Sequence, residues 1–411
     1  MFESIYKCPK KLSAIRKCWL HDSIADYLTE RAHQMYAKAT LLNEAGILLR
    51  FAEFAQNYGC SKIKDLPKHT SLFVECFKTP QYKQYVRSII KKYLNHMTAT
   101  GIIASPEPKV PAPRFFKYVC AYTLFLKEQR GISENSIVTI KSYCLRFMLY
   151  LYDTGCGKMS QLSRNYIQQF IVSEGNRYSR QTMGRYCSIL RGFLAYLYRS
   201  RMIRADFSGI VITPKIYKHE RCPSFLKEYE IKSMLSAVDQ NSAIGKRDYA
   251  ILMLLSTYGL RGIEVTQLRL EDIDWRAKKI RFCGRKSGSN STYPLTKPVA
   301  ESIISYLENS RHESRYREVF ISHRAPFKPI RTVAIRHIVQ KYLKIAGIDT
   351  HLRGAHILRY SCAQRLFEND FSTKVIGDYL GHRSPETTQR YIKIDIKHLR
   401  EVALNDGEDI L

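Results

Sequence analysis

Acidic residues are in short supply: 37 Asp and Glu stand against 66 Lys and Arg, a formal net charge of +29 at pH 7. That excludes a surface suited to polycations and points to a polyanion, nucleic acid ahead of an anionic membrane. Long apolar runs are also missing. None reaches the roughly 18 residues that a membrane-spanning helix takes, so no membrane partner is expected. The opening stretch, MFESIYKCPKKLSAIRKCWL, has no apolar core followed by a small-residue cleavage site, which argues against a secretory leader. Glycine (20) and proline (14) are too scarce for a collagen-like or Pro/Gly-biased chain. No two cysteines are spaced CxxC. The 11 cysteines, an odd number, predict free thiols in a reducing compartment and thus a cytoplasmic, DNA-associated protein. Cys8, Cys18, His21 and His33 match no common zinc spacing. Buried thiols, and no metal or other cofactor, are expected there.

What is present supports packed cores. The chain is 45% hydrophobic and 12% aromatic, which excludes wholesale disorder. Its 411 residues suggest two to four domains at roughly 100–200 residues each. The segment IIASPEPKVPAP, residues 102–113, holds four prolines and predicts an extended linker, because each proline fixes φ and removes a donor. A second linker is expected at 211–221. Residues 1–101 predict a helical N-terminal domain, an additional DNA-binding or protein-interaction module. One amphipathic run extends through ERAHQMYAKATLLNEAGILLRFAEFAQNYG to Gly59, and another covers 79–97. Residues 114–210 predict four helices forming a core DNA-binding domain. Residues 222–395 predict a mixed, mainly α catalytic domain with a small antiparallel sheet. Its elements include strands in KIRFCGR and STYPL, a short strand at REVFIS, and helices near 249–260, 297–310, 331–347, 356–368, 372–380 and 385–391. A C-terminal tail, 396–411, follows.

Four pieces of this last domain carry chemistry: TYGLRGIEVTQL, GRKSG, GAHILRYS and LGHRSPETTQRY. In order they supply Arg261, Lys286, His356 with Arg359, and His382 with Tyr391, at separations of 25, 70, 3, 23 and 9 residues. Taken singly, each has an ordinary structural explanation; Tyr391 is one of 28 tyrosines. Jointly they resemble the tyrosine recombinase (phage-type integrase) family, whose Arg–Lys–His–Arg–His–Tyr set falls on these six positions. The catalytic resemblance covers about residues 222–405, and 114–210 resembles the family's helical core-binding domain. Tyr360 follows Arg359 where many members have histidine, and Arg383 follows His382 at a variable position. Arg285 is adjacent to Lys286, and a one-residue shift of the loop would place it in the lysine position.

The resemblance implies strand cutting and rejoining through a 3′-phosphotyrosine, without ATP or a divalent ion. Two guanidiniums, Arg261 and Arg359, offer forked donors to the charged phosphate. Tyr391 is the nucleophile, and a phenol of pKa near ~10 needs local help. His356 is the proton acceptor, Lys286 the donor to the 5′-oxygen, and His382 holds a non-bridging oxygen or orients the tyrosine. Arg285 would be the poorer proton donor, since its pKa exceeds about 12. Glu264, three residues after Arg261, is expected to orient the site.

The most basic helix of the second domain, 179–203, places Arg180, Arg185, Arg191 and Arg199 among apolar residues as candidate phosphate contacts. The expected partners are duplex DNA with specific recombination sites, further copies forming a homotetramer on two such sites, and related recombinases or accessory proteins. Integration or transposition of a mobile element is the expected role. The alternatives are chromosome-dimer resolution, a type IB-like DNA-relaxing enzyme, and a non-catalytic DNA-binding protein that keeps the fold.

Overall fold

The computed structural model describes residues 2, 13, 15–104, 115–215, 225–283, 291–352 and 354–381. Most of both expected linkers, the hairpin loop at 284–290, the expected helix 385–391 and the tail lie outside the described residues. The fold divides into two units, Met1–Ile103 together with Arg221–Leu411, and Ala104–Glu220. Within the first unit, the N-terminal region and the catalytic region build separate hydrophobic cores. Among the described residues no helix is long and apolar enough to cross a membrane.

The N-terminal region is four helices: α1 His21–His33, α2 Lys38–Asn57, α3 Leu66–Glu75 and α4 Pro80–Ala99. The continuous run expected to begin near residue 30 is broken. Met35 takes a left-handed φ of 63°, and the extended Ala37 starts α2 afresh. Prolines stand in the first turns of α3 and α4, where a missing N–H costs no hydrogen bond. One buried ion pair ties α1 to α2. Arg31 Nη2 and Nε donate to the two carboxylate oxygens of Glu44 at 2.6 and 3.0 Å, and Tyr27 adds a third donor at 3.0 Å.

The unit Ala104–Glu220 holds α5 Phe116–Arg130, α6 Glu134–Asp153, α7 Arg164–Gly175 and α8 Arg180–Arg199. Ser179 caps α8 by accepting the Thr182 N–H at 3.3 Å. The stripe Met183, Leu190, Phe193, Leu194 and Leu197 is buried as its spacing predicts, while Ile189 is only half-buried. Gly192 lets α5 and α8 approach closely: a Cβ there would stand 2.9 Å from the Tyr122 hydroxyl.

The catalytic region runs α9 Glu228–Ser236, α10 Ala243–Tyr258, α11 Gly262–Thr266, β1 Ile273–Asp274, β2 Lys279–Phe282, β3 Ser291–Pro294, α12 Lys297–Asn309, α13 Thr332–Ile345, α14 Ala355–Glu368 and α15 Thr373–Leu380. Helix α10 is the centre. Ala250, Ile251, Leu252, Leu254 and Leu255 are all fully buried, because α12 and α14 pack against it. The three strands form an antiparallel sheet in chain order, with Lys279 opposite Pro294 and Phe282 opposite Ser291. Strand β1 and helix α9 were not anticipated. The REVFIS segment does not form the expected strand. It makes single bridges, Arg269 with Glu318 and Ile321 with Pro329. Its pairing switches from the backbone of Leu268 and Leu270 on one side to Lys328 and Ile330 on the other, too briefly to build a ladder.

Candidate active site

Helix α10 ends on Gly259, whose φ of +62° only glycine adopts without strain. Space demands glycine as well: a Cβ there would meet Leu380 Cδ2 at 2.9 Å and Cys362 Cβ at 3.0 Å. Two residues on, Arg261 occupies the cap position before α11. Glu264, fully buried, reaches back to it. One carboxylate oxygen accepts the Arg261 backbone N–H at 2.9 Å, and the other accepts Nη1 at 3.0 Å. The remaining terminal nitrogen, Nη2, donates to the carbonyl of Gly381 at 3.2 Å.

Arg359 lies one turn into α14 and is only 4% exposed. Its Nη1 donates to the Gly259 carbonyl at 2.8 Å and its Nη2 to the Leu380 carbonyl at 2.6 Å. Both acceptors sit at helix C-termini, where the last carbonyls lack intrahelical donors and carry the negative end of the helix dipole. The ends of α10 and α15 therefore orient this pair of guanidiniums.

His356 stands in the first turn of α14, exposed on one side. The protein packed around it, then the charges of Arg359 and Arg261, hold its pKa below the ordinary histidine value. At neutral pH the imidazole is therefore uncharged and able to accept a proton. Tyr360 lies beside it, ring centroids 6.5 Å apart.

The frame that holds these groups was not read from the sequence. Ser361 Oγ accepts the Leu226 N–H at 2.8 Å, and Arg365 donates to the Ser256 carbonyl at 2.8 Å, latching α14 to the start of the region and to α10. The Tyr258 hydroxyl donates to the Pro294 carbonyl at 2.8 Å and accepts the Thr296 N–H at 3.2 Å, pinning the end of β3. The Tyr293 hydroxyl donates to the Tyr379 carbonyl, joining β3 to α15. Among 28 tyrosines nothing in the sequence marks Tyr258 and Tyr293, whereas Tyr379, three residues before His382, is expected to pack. Burial drives the Tyr379 pKa well up, so its phenol is a packing group that resists ionisation.

The structure thus brings Arg261, Glu264, His356 and Arg359 together. Lys286, His382 and Tyr391, with Arg285, lie outside the described residues. Strands β2 and β3 flank the segment that carries Lys286, and His382 directly follows Gly381. The four candidate phosphate contacts do not share one face of α8. Arg185 and Arg199 are exposed on the outer side, and Arg199 lines a cavity of about 500 Å³ with Tyr122, Phe125 and Tyr196. Arg180 is exposed at the first turn, near the edge of the buried stripe. Arg191 braces the chain after α8, donating through Nη2 to the Val211 carbonyl at 2.9 Å and Thr213 Oγ1 at 2.6 Å. That contact turns its guanidinium toward protein, which sequence spacing could not reveal.

Comparison with known proteins agrees with this geometry. The profile described as "Phage integrase family" matches residues 224–398, and "Phage integrase, N-terminal SAM-like domain" matches residues 119–201. The putative integrase/recombinase y4rA of Sinorhizobium fredii (strain NBRC 101917 / NGR234) is 31% identical over 289 residues, 70% of this chain and 70% of that protein. Tyrosine recombinase XerD of Vibrio vulnificus (strain YJ016) is 26% identical over 294 residues, 70% of this chain and 94% of XerD. Among solved structures, the XerH site-specific recombinase in a post-cleavage complex with palindromic difH substrate shares the fold. Its TM-score is 0.56 at 19% identity, covering 69% of this chain and 84% of that one. The family matches define an enzyme that breaks and rejoins duplex DNA. The chain belongs to the tyrosine recombinase (phage integrase) family.

Proposed function

We propose that the protein moves a mobile element by integration or transposition, with Tyr391 as nucleophile. The observation that carries the chemistry is the oriented arginine pair beside an uncharged His356. In this reading Arg261 and Arg359 neutralise the charge that builds on the non-bridging phosphate oxygens. The Tyr391 phenol attacks phosphorus as His356 takes its proton. The 5′-oxygen leaves with a proton from Lys286, and His382 holds the phosphoryl group. The 5′-hydroxyl of a partner strand then attacks the 3′-phosphotyrosine and frees the phenol. Four protomers on two sites would bring both strands within reach, with the tail 396–411 coupling neighbours and accessory proteins or related recombinases joining as needed.

The mobile-element role rests on chain length. The family profiles begin at residue 119, and XerD is matched over 94% of its length while 30% of this chain remains. Chromosome-dimer resolution is the second reading, favoured by the XerD similarity itself. Incubating the chain with candidate element-end DNA in EDTA, then running a denaturing protein gel, tests the chemistry. A covalent adduct absent from Tyr391→Phe is expected; an adduct that persists would move the nucleophile elsewhere. A second duplex carrying either an element target or a chromosomal resolution site then separates the two roles by which one is joined.

A further inference from the structure

Helix α4 carries no Asp or Glu in 20 residues, yet holds Lys83, Arg87, Lys91 and Lys92. Its inner face, Val86, Ile89, Ile90, Tyr93 and Met97, is buried in the N-terminal core. The opposite face exposes Gln84, Arg87, Ser88, Lys91, Lys92 and Asn95, residues that 3.6-residue periodicity places on one side. They extend over about 16 Å of helix axis at 1.5 Å per residue, comparable with the ~12 Å width of the DNA major groove.

Several cations of this region are engaged. Arg31 is bound by Glu44, Lys68 by Asp65 at 2.6 Å, and Glu75 takes Lys83 and, at 3.9 Å, Arg87. Lys91 and Lys92 have no ion-pair partner among the described residues, and Arg87 stands one turn before Lys91. Like charges so placed repel each other, which a solvated face normally avoids by mixing signs, as α9 does with Glu228 and Lys232. Cations for phosphates interleaved with amide side chains for base edges are the chemistry of a duplex-binding helix.

We propose that α4 is a second DNA-binding element, laying its Gln84–Asn95 face on duplex DNA beyond what the matched family regions hold. The proposal rests on duplex DNA being the substrate. The test measures binding of the full chain to a random-sequence duplex across a salt series, for wild type and three variants. Each lost phosphate contact lowers the slope of log affinity against log salt by about 0.9. K91A/K92A is therefore expected to lower it by about 2, and K91R/K92R to retain it. K68A/K232A, a charge-matched pair already engaged by Asp65 and Glu228, is expected to keep the wild-type slope. Thermal melts check folding; should the double variant melt early, K92A alone is expected to lower the slope by about 1. An unchanged slope in K91A/K92A overturns the proposal, as does an equal drop in K68A/K232A. A wild-type chain that binds no duplex overturns the DNA reading itself.

Discussion

Arg31 and Arg359 are both buried guanidiniums, 7% and 4% exposed, in different regions and with different neighbours. Arg31 meets the full negative charge of Glu44 through two hydrogen bonds and lies over the Tyr36 ring, 3.3 Å from its centroid. Arg359 meets the carbonyl dipoles of Gly259 and Leu380. A carboxylate cancels a cation and ties two helices together. Carbonyl dipoles at two helix ends fix the direction in which a guanidinium points. The first arrangement ties elements of the fold; the second aims a donor pair.

Removing each arginine tests that contrast, and the largest effect belongs to Arg359. Arg359→Ala is expected to slow covalent adduct formation by about 10²–10³, the usual loss when one pre-aimed transition-state donor goes. Adduct formation within a factor of a few of wild type would erase the contrast. Next comes Arg31→Met, which leaves Glu44 buried without its partner. It is expected to cost about 3–5 kcal/mol in denaturant unfolding, while the folded fraction cleaves at the wild-type rate. A catalytic defect without a stability loss would reverse the assignment. The smallest effect concerns His356, which burial first and then both site arginines hold uncharged. In the proposed mechanism it accepts the proton in its neutral form, so the rate is expected to fall on acidification, with a midpoint below the ordinary histidine value of about 6.5. Arg261→Gln removes one of the repelling charges and is expected to raise the midpoint slightly. An NMR titration of the imidazole reads the shift directly, and a midpoint at or above the ordinary value would break the link between His356 and the pair.

Much of this was legible because helices announce themselves by period and by punctuation. The stops at Gly59, Gly131 and Gly347 are visible as glycines and take positive φ, and Pro80 marks the start of α4. The break at Met35 was not legible, since a left-handed methionine leaves no compositional trace. Strand β1 is two residues long, shorter than any alternation can reveal. In the site, Arg261, His356 and Arg359 could be named from motif order, and Glu264 from its three-residue spacing. The carbonyl acceptors that orient the arginines could not. Gly381 lies 120 residues from Arg261 and Gly259 100 residues from Arg359, and a carbonyl has no side-chain identity to read. The brace of Arg191 was hidden for the same reason, being formed with backbone 20 residues away.

Leu380 and Gly381 give one carbonyl to each arginine, and both stand at the end of an eight-residue helix that starts at a Ser372 cap. Inserting or deleting one residue inside that helix would rotate its last carbonyls by about 100° and uncouple Arg261 and Arg359 together. The length of α15 is therefore as much a part of the site as the arginines are, and substitutions within the helix should be far better tolerated than a change in its residue count.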